Sequence, residues 1–236
     1  GKSTTTKFTE NLLSYKKRLR ATACGNIGLP FTSLKNKKTN TLIVEASSFQ
    51  LDRINNLKFD IAVLLNITND HLDWHQNMQS YISAKLNIFR NQDENCNSII
   101  CIDDLICKKI AKDFKKKFKS KLILISTKKN KSADITLIDK KDKLQIYNKL
   151  INKKILLNKK DFKFTKAKHN YQNLLAAYAV QFTFQGKQTN FSNAIKSLTN
   201  LEHRMECLGS FKNLTIYNDS KATNMNASLT ALDSLE

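Results

Sequence analysis

Short blocks of apolar and polar residues alternate along the chain and predict strands and helices. The segments TLIVEASS and IAVLLNIT are apolar, β-branched runs that end in polar residues, which is typical of buried parallel strands. SIICIDD and KLILIST predict two further strands, and helical spacing covers residues 2–15, MQSYISAKLNIFRN and the lysine-rich residues 105–118. This alternation of strand and helix predicts an α/β fold with a mostly parallel sheet.

The pattern changes in the second half of the chain. ADITLID, KLQIYN and KKILLN are short alternating segments that predict a small antiparallel hairpin or meander. HNYQNLLAAYAVQFTF and NFSNAIKSLTNL predict two helices, after which GSFKNLTIYNDS predicts a pair of strands and NMNASLTALDSLE a last helix. We therefore place a domain boundary near Leu201, between a central domain at residues 1–200 and the beginning of a second domain at residues 201–236.

Composition indicates a soluble globular protein. Hydrophobic residues make up 41% and charged residues 25% of the 236 positions, and no apolar run approaches the roughly 20 residues needed to cross a bilayer. The chain opens on Gly1 without a methionine or an export signal, so we expect a cut inside a longer protein. The cysteines are odd in number, scattered and without a C-x-x-C pair, which predicts reduced thiols in a cytoplasmic protein: Cys24, Cys96, Cys101, Cys107 and Cys207.

The formal net charge of +20 is compatible with a nucleic-acid partner, because a basic surface releases counterions from phosphate backbones. The lysines, however, are spread through segments that are also rich in asparagine and isoleucine, with few aromatic residues between them. That distribution favours a compositional drift toward these three residue types. A basic nucleic-acid-binding module remains an alternative interpretation.

The opening GKST is the second half of the motif G-x-x-x-x-G-K-[ST], in which backbone N–H groups at a helix N-terminus hold phosphates. Residues 1–4 would supply those N–H groups, with Lys2 on the terminal phosphates and Ser3 on Mg²⁺. A strand ending in G-T-N directly before Gly1 would complete the motif. The alternative is a helix that is merely opened by Ser3 and Thr4.

Two further candidates follow strands. Glu45 ends the segment TLIVE, where a carboxylate at the mouth of a parallel sheet can complete a Mg²⁺ shell, or it is a solvated acid at a strand end. NITNDHLDWH contains His71 and His75 four positions apart, but H-x-x-x-H without an internal glutamate is a poor zinc signature, and a capped loop is the alternative. We predict that His71 binds metal or substrate and that His75 is structural.

Other polar residues carry a weaker signal. Periodicity gives Lys85, flanked by apolar residues, no special role. Asn170 and Asn173 are three apart, hence on one helix face where amides can contact an adenine edge, unless Asn170 caps the helix. Arg204 is suited to clamp phosphate oxygens or to form a structural ion pair.

The segment NDSKATN concentrates polar groups after a predicted strand. Five polar side chains fall within one turn, a density greater than helix capping needs: Asp219, Ser220, Lys221, Thr223 and Asn224. This density marks the turn as a candidate binding segment.

Taken in order, GKSTTT, GNIGLP, EASSFQL, NITNDHLDWH, SAKLNIF, HNYQNLLAA, LEHRME and NDSKATN resemble the Mur ligase family. The resemblance runs along the whole chain, although residues 131–163 carry no motif that anchors it. Within the family, EASSFQL and NDSKATN are similar to the member that adds D-glutamate, not to those that add L-alanine, a diamino acid or D-Ala-D-Ala. Ala46 stands where leucine is common in the family, a change expected to affect packing only.

The resemblance implies a three-domain ligase with a UDP-binding domain, a P-loop ATPase domain and a Rossmann-like domain. This chain would hold the second and the opening of the third, and would be inactive alone. The implied reaction joins D-glutamate to UDP-N-acetylmuramoyl-L-alanine through an acyl phosphate, with ATP and two Mg²⁺ ions, in peptidoglycan precursor synthesis. A cytoplasmic monomer without nucleic-acid or membrane partners is expected; another ATP-dependent peptide ligase, such as one similar to folylpolyglutamate synthetase, is the alternative.

The resemblance also assigns roles to matching positions. One group would bind ATP, its phosphates and the first Mg²⁺: Gly1, Lys2, Ser3, Thr4, Glu45, Asn170, Asn173, Arg204 and Asp219. The second Mg²⁺ would lie between His71 and a carbamylated Lys85, whose modification requires a neutral amine that burial would favour. The muramoyl substrate would contact Asn26, Ser47, Lys221 and Thr223.

Overall fold

The computed structural model describes residues 1–15, 19–36, 41–68, 72–164, 167–186, 190–222 and 225–232. The strands in these ranges are β1 Ala21–Gly25, β2 Thr41–Glu45, β3 Ile61–Leu64, β4 Asn97–Cys101, β5 Lys121–Ser126, β6 Ile135–Lys140, β7 Lys143–Asn148, β8 Lys153–Asn158, β9 Glu206–Phe211 and β10 Leu214–Asn218. The α-helices are α1 Lys2–Ser14, α2 Ser48–Asp52, α3 Leu72–His75, α4 Met78–Leu86, α5 Leu105–Asp113, α6 Lys168–Gln185, α7 Phe191–Ala194 and α8 Met225–Leu232.

The largest sheet has six strands in the order β3-β4-β5-β6-β7-β8. The pairs from β3 to β6 are parallel, and β6, β7 and β8 form an antiparallel meander. The predicted α/β fold with a mostly parallel sheet is thus confirmed, and so is the predicted meander. The meander is not a separate element, however, because Ile135 at the start of β6 pairs with Ile125 of β5 and continues the parallel sheet.

A second, parallel pair joins β1 to β2, with Cys24 opposite Val44. The sequence did not predict β1, because ATACG contains no run of large β-branched residues and looks like a loop. Its neighbour supplies the pairing: five consecutive residues of β1 lie opposite five residues of β2. Tertiary pairing therefore overrides a weak local preference in this segment.

The core lies on both faces of the large sheet. On one face α1 and α6 pack together against the strands, with Phe8, Leu12 and Leu174 almost completely buried. On the other face Phe89 and Phe114 form the centre of a second apolar cluster. Each large apolar side chain buried in this way stabilises the fold by about 1.5–3 kcal/mol, so the sheet and its two helical layers form a well-anchored scaffold.

Three predicted helices are shorter than expected. The helix predicted for MQSYISAKLNIFRN ends at Leu86 and continues as a 3₁₀ turn over Asn87–Phe89. The helix predicted for residues 105–118 ends at Asp113 and continues as one 3₁₀ turn, a common ending of an α-helix. The helix predicted for NFSNAIKSLTNL is limited to α7 and a 3₁₀ turn over Ile195–Ser197. The chain then becomes extended at Leu198, and Thr199 forms a parallel β-bridge with Lys163, which ends the helix.

A cavity of about 470 Å³ separates β2 from β3. Residues 41–46 and 61–66 line its two long sides, and side chains of α1 and α6 line its floor. Within the described ranges, β2 pairs only with β1 and β3 pairs only with β4, so each strand has one edge without a partner. The cavity extends to the carboxyl ends of both strands, where the polar candidates lie.

The C-terminal residues form the antiparallel hairpin β9–β10, with a bulge between Ile216 and Tyr217, followed by α8. The predicted pair of strands and the predicted helix are confirmed. Several apolar side chains of this stretch are largely exposed, among them Leu208, Phe211 and Leu214. Among the helices that the structure describes, none is long and apolar enough to cross a membrane.

Candidate functional site

The N-terminus of α1 presents free backbone N–H groups. The N-cap residue is Gly1, which has no side chain to cap the helix, and the first intrahelical bond runs from Thr5 N to Gly1 O at 3.0 Å. Ser3 and Thr4 therefore lie in the first turn without capping the helix, and the choice between a phosphate-binding GKST and a helix merely opened by these residues stays a prediction. The N–H groups of the first turn and the positive end of the helix dipole both favour an anion at this position.

Glu45 lies at the carboxyl end of β2 and is only 4% exposed, so the alternative of a solvated acid is wrong. Its Oε1 accepts a hydrogen bond from Asn26 Nδ2 at 3.1 Å. Its Oε2 is buried and has no hydrogen-bond partner among the described residues. A buried carboxylate oxygen without a partner is unfavourable unless a ligand compensates it, and a divalent cation is a suitable ligand for carboxylate oxygen.

Sequence reasoning missed the part that Gly25 takes in this arrangement. Gly25 has a φ of +98°, and an added Cβ would lie 2.4 Å from the carbonyl oxygen of Glu45. Only glycine fits such a conformation and such a close backbone approach. The fit brings the next residue beside Glu45, where Asn26 N donates to Glu45 O at 2.9 Å. Two signals were available, the small number of glycines in the chain and the motif GNIGLP, which begins at Gly25.

Lys2, Glu45 and Lys85 line the same cavity although they come from α1, β2 and α4. Lys85 is partly buried, and its Nζ lies 4.8 Å from the centre of the Tyr81 ring. A cation–π contact of this kind favours the ammonium form, whereas carbamylation requires the neutral amine. Carbamylation of Lys85 therefore stays a prediction, and the Tyr81 contact opposes it.

Of the two histidines of NITNDHLDWH, the structure describes His75 but not His71. His75 is 5% exposed, with Nε2 3.0 Å from Ser48 Oγ and its ring between the rings of Phe49 and Tyr81. This packing agrees with the structural role predicted for it. His71 lies outside the described residues, so its predicted metal role stays a prediction. Within the described ranges no group of three or more His, Cys, Asp or Glu side chains is placed to hold a metal ion.

Ser47 is the N-cap of α2 and forms a capping box with Gln50. Its Oγ accepts from Gln50 N at 3.3 Å, and its own N–H donates to Gln50 Oε1 at 2.9 Å. The hydroxyl therefore has a local structural role that would compete with a substrate contact. The predicted substrate contact of Ser47 stays a prediction.

Asn170 and Asn173 share one face of α6, as predicted. Asn173 is completely buried; its Oδ1 accepts from Thr5 Oγ1 and its Nδ2 donates to Asn170 Oδ1, both at 3.1 Å. The alternative that Asn170 caps the helix is wrong, because the N-cap is Ala167. The predicted contact of this pair with adenine stays a prediction.

Arg204 reaches the start of α1 from the C-terminal stretch. Its Nη2 lies 3.5 Å from Ser3 Oγ, and its Nε is buried without a partner in the part of the chain described. None of the ion pairs between described residues includes Arg204, which gives no support to the ion-pair alternative. A guanidinium that lies beside Ser3, with a buried Nε–H that has no partner among the described residues, is suited to bind an oxyanion.

The turn after β10 is held by hydrogen bonds to residues 203–205, one of them through the Asp219 side chain. Asp219 Oδ1 accepts from Met205 N at 3.0 Å, and the exposed Lys221 donates its backbone N–H to His203 O at 3.2 Å. Thr223 lies outside the described residues.

Sequence reasoning missed His169, whose pKa is lowered by burial and whose Nδ1 is buried without a partner among the described residues.

Comparison with known proteins identifies a family that the chain matches. Residues 1–181 match the Mur ligase middle domain. The UDP-N-acetylmuramoylalanine--D-glutamate ligase of Rickettsia prowazekii is 38% identical over 237 residues, covering 100% of this chain and 51% of the relative. The protein of the same name from Natranaerobius thermophilus is 35% identical, covering 90% of this chain and 45% of the relative. The chain thus spans about half the length of these curated relatives.

Solved structures agree at the level of the fold. The MurF ligase of Thermotoga maritima in complex with ADP has a TM-score of 0.75 at 20% identity, covering 100% of this chain and 54% of that chain. A MurF structure from Acinetobacter baumannii has a TM-score of 0.79 at 15% identity, covering 100% and 52% respectively. Because the middle-domain match covers well over half of the sequence, the chain belongs to the Mur ligase family.

Proposed function

We propose that this chain is the ATP-binding part of a ligase that joins D-glutamate to UDP-N-acetylmuramoyl-L-alanine in peptidoglycan precursor synthesis. The names of the curated relatives support the choice of amino acid and acceptor. The observation that carries the chemistry is the convergence at the mouth of one cavity of the α1 N-terminus with Lys2, of Lys85, and of the buried Oε2 of Glu45, which has no partner among the described residues.

In this proposal ATP binds with its phosphates at the start of α1. The N–H groups of residues 2–4 and the Lys2 ammonium hold the phosphate oxygens, and Arg204, beside Ser3, neutralises charge on the phosphoryl group being transferred. Asp219 and Asn170 are proposed to contact adenosine. Arg204 and Asp219 both follow the proposed domain boundary near Leu201, so the nucleotide would bind between the central domain and the beginning of the next.

The residues at the cavity mouth fit a magnesium ion. The buried Oε2 of Glu45, which has no partner among the described residues, would coordinate the ion. The Ser3 hydroxyl is proposed as the second protein ligand of the ion. When bound, Mg²⁺ supplies positive charge that offsets the charge of the phosphate oxygens. A second ion held by His71 and carbamylated Lys85 remains part of the proposal, with the Tyr81 contact as the observation against it.

The proposed reaction needs no protein nucleophile. The terminal carboxylate of the muramoyl substrate attacks the γ-phosphorus of ATP, the bond to the β-phosphate oxygen breaks, and ADP leaves with an acyl phosphate formed. The amine of D-glutamate attacks the acyl carbon, loses a proton, and inorganic phosphate departs. Asn26, Ser47, Lys221 and Thr223 are proposed to hold the muramoyl substrate during both steps.

The cavity between β2 and β3 offers space for the strand that is predicted before Lys2. The cavity between β2 and β3 has apolar walls along its length, two strand edges without partners among the described residues, and Lys2 in its lining. We propose that the segment preceding Gly1 in the full-length protein runs there parallel to β2 and β3. It would complete both the sheet and the phosphate loop, which follows a strand in proteins of this kind.

The test is the substitution Lys2→Ala in the full-length protein, with phosphate release measured in the presence of ATP, UDP-N-acetylmuramoyl-L-alanine and D-glutamate. Loss of this charge should lower turnover by about 100-fold or more. Lys7→Ala is the matched control, because Lys7 lies on the same helix and pairs with Glu10. An unchanged rate in Lys2→Ala contradicts the proposal, and equal rates with L-alanine or a diamino acid in place of D-glutamate contradict the choice of amino acid.

A further inference from the structure

The backbone on both sides of Arg204 is left-handed. His203 has a φ of +62° and Met205 a φ of +46°, and neither residue is glycine. A side chain makes this conformation unfavourable, so it persists only where the surrounding structure holds it. The turn that carries Arg204 is therefore held in place by its contacts.

Met205 is held from both sides of the proposed domain boundary. Before the boundary, Asn200 donates a hydrogen bond from Nδ2 to Met205 O at 2.8 Å. After the boundary, Asp219 Oδ1 accepts from Met205 N at 3.0 Å. The Met205 side chain is also buried. These contacts fix the two peptide groups that flank Met205, the first of which joins it to Arg204.

The direction of the Arg204 side chain depends on this turn. Its own N–H donates to Leu201 O at 3.2 Å, and its Nη2 lies 3.5 Å from Ser3 Oγ. A return of Met205 to a right-handed or extended conformation would rotate the peptide group that follows Arg204. The guanidinium would then be displaced from Ser3, at the start of α1.

The bond from Asn200 differs from the others in this turn because it comes from the central domain, which also carries Ser3. Leu198, two residues earlier, is 0% exposed, and Thr199 forms a parallel β-bridge with Lys163. The carboxamide of Asn200 is therefore attached to a well-packed part of the core. It connects the backbone beside Arg204 to the domain that the guanidinium has to reach.

We propose that Asn200 is a positioning residue, whose carboxamide keeps Met205 in the left-handed conformation and so directs Arg204 toward the phosphoryl group. This inference rests on the proposed role of Arg204 in the ligase reaction. Asn200 acts without touching a substrate. The bond of Asp219 to Met205 is compatible with the proposed contact of Asp219 with adenosine, because a carboxylate has about four lone-pair sites on its two oxygens.

The experiment measures turnover of Asn200→Ala in the full-length protein, as phosphate release with ATP, UDP-N-acetylmuramoyl-L-alanine and D-glutamate. We expect kcat to fall by about tenfold, because a displaced charge stabilises the transition state less. KM for ATP should stay within about twofold, since the lost interaction belongs to the transition state.

Asn91→Ala is the matched control. Asn91 Nδ2 also donates to backbone carbonyl oxygens, those of Asn55 and Leu57, which precede β3. This variant loses the same kind of bond and should keep the kcat of the parent protein. Urea unfolding of both variants shows that the assay temperature leaves them folded.

Combination with Arg204→Lys separates a positioning role from a structural one. If Asn200 acts through Arg204, Asn200→Ala should lower the remaining kcat of Arg204→Lys by less than about twofold. Asn200→Asp has nearly the same volume as the parent side chain but lacks the donor, so it should reproduce the loss of kcat. It replaces the alanine variant if that variant does not fold.

Three outcomes would overturn the inference while leaving the proposed function intact. They are an unchanged kcat in the Asn200 variants, an equal fall of kcat in Asn91→Ala, and a fall of about tenfold in the Arg204→Lys background as well. The last would show that Asn200 acts independently of Arg204. A parent protein whose phosphate release does not depend on D-glutamate would instead overturn the proposed function, and this inference with it.

Discussion

The body of the molecule (β3 to β8 with α1 and α6) and its C-terminal stretch (β9, β10 and α8) follow equally regular sequence patterns but differ in burial. In the body, Phe8 is 0% and Leu12 1% exposed, whereas in the stretch Leu208 is 60% and Phe211 69% exposed. A periodic pattern of apolar residues in the sequence thus determines where a helix or strand forms. How far its apolar residues are buried depends on what packs against it.

The two regions also hold their candidate site residues differently. In the body, a buried hydrogen bond of 3.1 Å joins Thr5 to Asn173, and beside the body a partly buried hydrogen bond of 3.1 Å joins Asn26 to Glu45 at the end of β2. Before the hairpin, the Arg204 side chain is joined to the body, among the described residues, by a hydrogen bond of 3.5 Å to Ser3. We therefore expect substitutions of buried side chains in the body to lower stability, and a substitution of Arg204 to change activity with little change in stability.

The largest expected effect is that of Phe8→Ala on the free energy of unfolding. Phe8 is completely buried between α1 and the sheet, and its ring centre lies 5.0 Å from that of Phe164. Removing a buried phenylalanine ring loses its transfer free energy and leaves a cavity, which together cost about 3–5 kcal/mol. Urea unfolding of residues 1–236 followed by circular dichroism measures the change.

Phe211→Ala is the matched control for this substitution, because it removes the same ring from an exposed position. Its expected effect is within about 0.5 kcal/mol of zero, as for other surface changes. A loss comparable to that of Phe8→Ala would break the comparison, since it would mean that the hairpin is packed as tightly as the body.

An intermediate effect is expected for Asp103→Asn, which tests a polar contact of the body. The Asp103 carboxylate accepts from Ser126 Oγ at 2.6 Å and from Thr127 N and Oγ1 at 2.9 and 2.6 Å. Burial raises the pKa of Asp103, but these hydrogen bonds outweigh it and hold the pKa below its ordinary value. Losing the charged acceptor should lower the free energy of unfolding by about 2 kcal/mol at pH 7.

The pH dependence follows from the direction of that pKa shift. The folded state keeps Asp103 ionised at pH values below its unfolded pKa of about 4. The stabilisation by this carboxylate is therefore complete above that pH and is lost as pH falls through the lower pKa of the folded state. Asp103→Asn should therefore differ most from the parent protein at neutral pH and least in acid. Asp142→Asn, on the exposed turn between β6 and β7, is the control. A constant difference at all pH values would contradict the argument.

Sequence reasoning found the elements whose signal is local. TLIVE and IAVL were recognised as strands because their β-branched runs need no information from elsewhere, and the residues that line the cavity, Lys2, Glu45 and Lys85, came from short motifs and the family resemblance. It missed β1, whose pairing with β2 depends on a neighbour some 20 residues away. It also missed the bond between Thr5 and Asn173, because the two residues are 168 positions apart. Contacts of that separation leave no local pattern.

The smallest effect on stability, with a large one on activity, is expected for Arg204→Lys in the full-length protein. Lysine keeps the positive charge but offers a point charge in place of the planar fork that lies beside Ser3, so it binds a phosphoryl group less well. Turnover should fall by about 100-fold, while the free energy of unfolding changes by less than about 0.5 kcal/mol. Arg90→Lys, at an exposed site after α4, should alter neither quantity. Unchanged turnover would contradict the proposed role of Arg204 at the phosphoryl group. A stability loss as large as that of Phe8→Ala would show that Arg204 is packed like the body, and the distinction between the two regions would fail at the residue that joins them.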